Sequence, residues 1–554
     1  MIEEKTRILP EGRARLRPDP WSAGAVLIAF LVVVPIAAVV WLALGGTGGG
    51  LAHLWATTMP RYVANTALLM AGVGVLAAAV GTGAAWLVVM YRFPLSRWLE
   101  WALLLPLAIP AYVGAYALVD FLEYAGPVQT GLRQLFGWQG ARDYWFPEIR
   151  SMGSAVVVLS AALYPYVYLL ARASFREQSA GALEVARSLG AGPAGRFLRV
   201  GLPMARPAIA AGVAIVMMET VNDFGTVDYF AVQTLTLGIF SVWLEFHDVA
   251  GAAQIASVIL GVVLLLVALE KVSRSRSRYY QSARRQAPVS PEHLGGPAGL
   301  LATLACLIPF AVGFILPVGV ILYHALRNAA VWQNPALYAA LANTLTVGGA
   351  AAVVTVVAAL FMVYGVRLSG KPLPRILLPV TTIGYAAPGA VLAIGILVPL
   401  ARLDNAVADA VLWLTGRDPG LILTGSAMAI VYAYGVRFFA IAQGAADSGM
   451  GRIPPSVPLA ARTLGKSPLS VLVRVYVPLM RTSVGTALLL VFVDCVKELP
   501  ATMLLRPFNF NTLATLVHEQ ASLENLGDAA PSALLIVLVG LVAVVMLARA
   551  NRAR

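Results

Sequence analysis

Two pairs of acids stand out in a strongly apolar chain: Glu219 with Asp223, and Asp494 with Glu498. Each pair is spaced i and i+4, which on a continuous helix puts both carboxylates on one face. Glu219 recurs as Asp494 and Asp223 as Glu498, an offset of 275 in each case. A charged side chain costs on the order of 3 kcal/mol at the centre of a bilayer, so four of them point to water or to a polar cavity. Carboxylate oxygens are hard ligands that suit a hard, highly charged cation. Four strong ligands fixed in a path would also trap that ion, because passage needs exchangeable contacts. Lys497, next to Glu498, keeps a second role open, in which the acids pair with a base, cap helices or meet a partner protein. The four acids are candidates for a translocation path or an outer gate, and His247 and His518 near the same face read as interfacial residues.

Other chemistries find no support in the residue pattern. Five histidines, at 53, 247, 293, 324 and 518, form no pair at ligand spacing, and Cys306 and Cys495 sit far apart in apolar stretches. No metal site is therefore assigned. Ala460 to Ser467 reads Ala-Ala-Arg-Thr-Leu-Gly-Lys-Ser, close to a phosphate-binding loop. It has Ala460 where that loop needs its first glycine, and Pro468 follows at once. The chain reads as neither an enzyme nor a cofactor carrier.

The elements that must position these acids are membrane spans. Of 554 residues, 59% are hydrophobic and only 12% charged, against about 25% charged in ordinary globular domains. Windows of about 20 apolar residues, enough to cross the hydrocarbon core, recur near 22–44, 64–90, 99–121, 152–172, 205–221 and 251–270. A second set follows near 298–324, 343–365, 376–401, 421–442, 480–496 and 530–548. With both termini inside, most of the 40 Lys and Arg, including those from Arg437 to Arg481, fall on the inner side, and most of the 27 acids fall outside. The net charge of +13 then reflects orientation and an inner face set against anionic lipid, and no nucleic-acid partner is needed.

The two sets are copies. Asn65-Thr66 recurs as Asn343-Thr344 and Ala108-Ile-Pro110 as Ala386-Ala-Pro388, while Leu189-Gly190 recurs as Leu464-Gly465 and Pro203 as Pro478. The economical division is a tail at 1–20, a first repeat at 21–271, a basic linker at 272–297 and a second repeat at 298–554. An even number of spans per copy makes the repeats parallel, with a path between them. Between the fourth and fifth windows stands Glu184-Val-Ala-Arg-Ser-Leu-Gly190, then Pro203 after twelve residues. The second copy keeps Ala460, Ala461, Gly465 and Pro478 but has Leu459 where Glu184 stands. Small residues at Ala186, Gly190, Ala461 and Gly465 suit close backbone approach, and the two prolines are expected to end the segment and redirect the chain.

This loop resembles the signature of permease subunits in binding-protein-dependent ABC importers. The stretches from Glu219 to Phe230, from Lys497 to Thr502 and from Arg506 to Thr515 are similar to those of the large fused ferric-iron permeases. The resemblance implies an all-α integral membrane protein of about 12 transmembrane helices in two parallel-repeat permease domains, of the type I importer kind. It implies that Glu184, Ala186, Gly190, Pro203, Ala460, Ala461, Gly465 and Pro478 form coupling helices. The implied partners are two copies of an ABC ATPase subunit, which use ATP and Mg, and a substrate-binding protein contacted by Arg506, Phe508 and Phe510. The implied setting is a prokaryotic inner membrane. Thiamine, polyamine or phosphonate as substrate, or a proton-coupled secondary transporter, are the alternatives.

Overall fold

Apolar runs become helices here because a backbone in hydrocarbon must satisfy its own N–H and C=O groups, and prolines decide where those helices break. The computed structural model describes residues 20–45, 50–178, 180–275, 291–369 and 372–552. Nearly all of the tail at 1–20 and most of the linker at 272–297 lie outside the described residues. Among the described residues, 10 helices are long and apolar enough to cross a membrane, or up to 12 if each of two bent pairs is one span.

The bends fall at places the apolar windows conceal. The third window is Ser96–Ala108 followed by Ala111–Phe136 at 97°. The ninth is interrupted before Gly389–Thr415, which begins only after Pro388. Pro110 and Pro388, the two copies of one repeat position, both adopt extended backbone (ψ 141° and 149°) and start the helix that follows. A residue with no N–H cannot carry a helix through such a point, but it suits a helix start. The fifth window is one continuous span, Pro193–Asn222, whereas its counterpart is Pro468–Leu479 and Arg481–Lys497 bent by 83°.

The repeat is visible in matched hydrogen bonds. Asn65 Nδ2 donates to the Gln233 carbonyl at 2.9 Å, and Asn343 Nδ2 to the Asn511 carbonyl at 3.0 Å. The Leu235 N–H donates to Thr66 Oγ1 at 2.9 Å, and the Leu513 N–H to Thr344 Oγ1 at 2.8 Å. Each pair ties the start of a long span to the short helix near the end of the same half.

The halves are nevertheless interlocked. The first helix, Pro20–Leu44, packs on Pro335–Ser369 and Gly389–Thr415 of the second half as well as on Val249–Ser275. Trp21 stacks on Phe361 at 4.6 Å, and the Tyr432 hydroxyl donates to the Leu31 carbonyl at 2.6 Å. Reciprocally, Gly296–Phe310 lies on Met59–Met90 and Ser96–Ala102, with Trp98 edge-on to Phe310 at 5.2 Å. One apolar core therefore gathers Ala25 and Val32 with residues 347–505, and the other gathers Ala302, Cys306 and Phe310 with the first half. Small residues permit the tightest crossings: a Cβ on Gly81 would come within 2.8 Å of the Tyr164 carbonyl oxygen, and one on Gly212 within 2.8 Å of Val167 Cα. Without a hydrophobic driving force between helices, such contact supplies the association energy.

Candidate functional site: a cavity between the halves and two loop helices

The acids do not sit in pairs on helix faces. The helix Leu202–Asn222 stops one residue before Asp223, whose backbone is extended at φ −69°, ψ 131°. Asp223 Oδ1 accepts the N–H groups of Thr226 (2.9 Å) and Val227 (3.3 Å), and Oδ2 accepts the Thr226 hydroxyl at 3.0 Å. In the second half Arg481–Lys497 stops before Glu498, also extended at φ −70°, ψ 120°. Glu498 Oε1 accepts the Ala501 N–H at 3.1 Å, and Oε2 accepts the Thr502 N–H and hydroxyl, both at 3.1 Å. Both residues thus satisfy the free N–H groups of the next short helix, Gly225–Tyr229 or Pro500–Leu505. A helix start needs such acceptors, and this need overrides the shared face that i, i+4 spacing suggests. Only Glu219 and Asp494 remain on their helices.

All four acids still line a single cavity of about 170 Å³ where the halves meet, together with Tyr112, Tyr166, Asn222, Tyr385, Arg437 and Lys497. Arg437 Nη1 lies 3.3 Å from Glu498 Oε1, the two side chains being 11% and 2% exposed. Arg437, which the alternating-loop assignment puts with the inner basic residues, is therefore a cavity residue. A buried carboxylate supplies the counter-charge that a guanidinium needs inside a membrane bundle. Gly389 makes room for this pair, since a Cβ there would collide with Glu498 Oε1 and approach Arg437 Nη1 to 2.6 Å. Lys497 Nζ crosses to the Leu107 carbonyl of the first half at 2.5 Å, and the Tyr385 hydroxyl reaches back to Glu219 Oε1 at 3.5 Å. These are bonds between halves. At the repeat positions matching Arg437 and Lys497 the first half has Ala162 and Asn222, which also line the cavity. Among the described residues, no three or more His, Cys, Asp or Glu group closely enough to hold a metal ion. The cavity offers charge without a preformed chelate.

The motif residues form two matching loop helices, Ala180–Ser188 and Ser456–Thr463. Each ends on a glycine in the left-handed region, Gly190 at φ +82° and Gly465 at φ +78°. The Ala191 N–H closes onto the Ala186 carbonyl at 2.9 Å and the Gly190 N–H onto Arg187 at 3.0 Å; Lys466 onto Ala461 (3.2 Å) and Gly465 onto Arg462 (3.0 Å) repeat the pattern. This is a Schellman cap. A Cβ on either glycine would meet nothing within 4 Å, so backbone conformation, and not crowding within the chain, explains these glycines. Glu184, Leu459 and Ala460 are exposed, as are Val185, Leu189 and Leu464, which leaves apolar side chains bare on two short helices. Of the two prolines, Pro203 departs from expectation and Pro478 follows it. Pro203 sits in the first turn of Leu202–Asn222, inside the continuous span Pro193–Asn222, where a missing N–H is tolerated. Pro478 lies in Val477–Leu479, just before the 83° bend. Ser467 starts the helix Pro468–Val471 by accepting the Ser470 N–H at 3.3 Å, and a helix, not a strand, precedes Lys466.

Residues 70–278 match the family of binding-protein-dependent transport system inner membrane components. Over that stretch the chain is similar to the permease subunits of ABC importers. It is 24% identical over 94% of its length, and 96% of the relative's, to the Fe(3+)-transport system permease protein FbpB 2 of Haemophilus influenzae. It is also 29% identical to the sulfate transport system permease protein CysT of Salmonella typhimurium, over 35% of this chain and 68% of that one. The molybdenum transport system permease protein ModB of Escherichia coli is 28% identical over 35% of this chain and 85% of its own.

At the end of the permease away from the loop helices, His518 is buried in the seam and not interfacial. Its Nδ1 lies 2.9 Å from the Tyr116 hydroxyl and its Nε2 3.7 Å from Asp228 Oδ2, both of the first half. Burial pushes its imidazole down to about 4, so it is neutral near pH 7. Arg506 is engaged within the chain by Asn511 and by Glu519 at 2.5 Å, and Phe510 packs against the second core. Phe508 projects fully, and of the three residues expected to face a partner it alone is free to do so.

Proposed function

We propose that this permease carries ferric iron across the inner membrane of a prokaryotic cell by alternating access. The observation that carries the reading is the cavity between the halves, to which each half contributes two carboxylates at matching repeat positions. Two copies of an ATPase subunit, which bring the ATP and Mg, would dock on Ala180–Ser188 and Ser456–Thr463, whose bare apolar residues suit clefts in a partner. Both termini and the loop helices then face the cytoplasm. A substrate-binding protein would meet the opposite end, where Phe508 projects. Likeness to a Fe(3+) permease along nearly the whole chain supports iron, whereas the sulfate and molybdenum relatives align over about a third of it.

Closure of the ATPases would draw the loop helices together and part the seam at the far end. The bonds from Lys497 to Leu107 and from Tyr385 to Glu219 cross that seam and must yield for the halves to rotate. Lacking a chelating cluster, the acids would lower the barrier for a cation and still release it. A second reading takes an oxyanion as substrate, favoured by Arg437 and Lys497 in the cavity and by those sulfate and molybdenum relatives. Reconstitution with the ATPase subunit and the binding protein separates the two. ATP hydrolysis stimulated by ferric-loaded but not by sulfate- or molybdate-loaded binding protein is expected, and the reverse pattern would overturn iron.

A further inference from the structure

The loop helices match in sequence and cap geometry, yet among the described residues only the first is fastened to the chain that joins the halves. Where the second repeat begins, β2 (Glu292–His293) pairs in parallel with β1 (Tyr91–Arg92), the strand that follows the span Met59–Met90. The Leu294 N–H extends the pairing to the Arg92 carbonyl at 2.8 Å. From this two-residue ribbon the Glu292 carboxylate takes Arg196 at both oxygens, at 2.5 and 3.1 Å, and Arg187 at 3.1 Å. Arg187 lies in the last turn of the loop helix Ala180–Ser188, and Arg196 lies in Pro193–Arg196, which leads into the next span. The Arg196 guanidinium holds the Glu292 carboxyl below its ordinary value. Four residues after Glu292 the first helix of the second half, Gly296–Phe310, is under way.

Among the described residues, the second loop has no carboxylate of the joining segment on it. Arg462 corresponds to Arg187, but Val471 stands where Arg196 would be, and no ion pair involving Arg462 is present among the described residues. Arg–carboxylate contacts that use both oxygens fix orientation as well as distance. One carboxylate thus ties three segments together: the end of one span, the first loop helix with its outgoing span, and the start of the second half.

We propose that Glu292 is a positioning residue for energy coupling: it makes the linker end a strut that moves the first loop helix and the first helix of the second half as one body. The proposal rests on Ala180–Ser188 being a coupling helix. It goes further in assigning the fusion segment a mechanical role and in making the two loops unequal. A displacement at the first loop passes through that carboxylate into the opposite half, whereas among the described residues the second loop reaches its neighbours through a single neutral hydrogen bond, from the Tyr364 hydroxyl to the Pro468 carbonyl at 2.9 Å.

The test uses the full permease with its ATPase subunits in liposomes, carrying nitroxides at Ser188→Cys and Ala298→Cys. Two readouts are taken, the 188–298 distance distribution and the ATP hydrolysis rate of the complex relative to the ATPase subunit alone. Glu292→Gln is expected to broaden the distribution and cut the relative rate roughly threefold or more, and the inverted pair Glu292→Arg with Arg196→Glu is expected to restore both in large part. Arg462→Gln, on the second loop, is expected to leave the distribution unchanged. An unbroadened distribution in Glu292→Gln, a broadened one with an unchanged rate, or no recovery in the inverted pair would each overturn the strut. If the Gln form does not accumulate, Glu292→Asp, with the charge kept and the reach shortened, is read against the same criteria. Failure of the coupling reading is distinguishable, because Gly190→Trp and Gly465→Trp would then both leave the relative rate intact.

Discussion

The two halves place acids at the same repeat positions but answer them differently. In the first half Asp223 is satisfied by two N–H groups and a hydroxyl, and Ala162 and Asn222 complete that side of the cavity. In the second half Glu498 has the same kind of cap plus Arg437, and Lys497 reaches across to the first half. The capping acid is present in both halves, and the cavity's cations come from only one of them. The cavity is symmetric in its carboxylates and one-sided in its bases, so its two walls are unlike.

The largest expected break in this comparison comes from removing the second-half charge. Glu498→Gln leaves Arg437 buried without its counter-ion and should cost about 3–5 kcal/mol, whereas Asp223→Asn, which weakens a cap alone, should cost about 1–3 kcal/mol. Thermal unfolding of the purified permease in detergent checks this, and equal losses would mean that Arg437 adds nothing to the second cap.

Next in size is the seam residue His518, which corresponds to Phe240 of the first half. Burial holds its imidazole at about 4, below the ordinary histidine value of about 6.5. Between those values the unfolded chain binds a proton that the folded one refuses, so stability falls as the pH drops from about 6.5 to about 4, by on the order of 3 kcal/mol. His518→Phe, which makes the seam more alike in the two halves, is expected to flatten that part of the stability profile. An unchanged slope would assign it to other groups.

The smallest effect sharpens the likeness between the halves. Gly190→Ala and Gly465→Ala each force a Cβ into left-handed backbone, at about 1–2 kcal/mol apiece, with nothing nearby to clash. Hydrogen exchange at the two loop helices should accelerate by similar factors. A loss confined to one loop would show that the shared cap is not what holds both.

Hydropathy made the spans legible because burial in lipid demands long apolar runs, and the recurring residue pairs exposed the duplication. Hydropathy is blind to direction, so the breaks at Pro110 and Pro388 disappear inside windows that stay apolar across the turn. Arg437 was overlooked because its partner lies 61 residues further on, and a lone arginine near the end of an apolar run reads as a topology signal. The capping roles of Asp223 and Glu498 were within reach, since Thr226 and Thr502 follow at the distance a cap uses, but i, i+4 spacing was the louder pattern. The glycines of the loop helices were found for the wrong reason: spacing marked them, whereas a positive φ explains them. Which helix neighbours which was not legible at all, because an apolar stripe records that a face is covered and not by what.

That last point bears on the first helix of each half, which lies across the other half. Two bodies that each hold an arm over the other's back can rock and twist, but they cannot be drawn straight apart without peeling an arm away. The motion open to such a clasp is a rotation about the seam, so the sides of the bundle can stay sealed against lipid while its two ends open in turn. Coexpressing the halves as separate chains would ask each to find its own missing wall on a partner still folding.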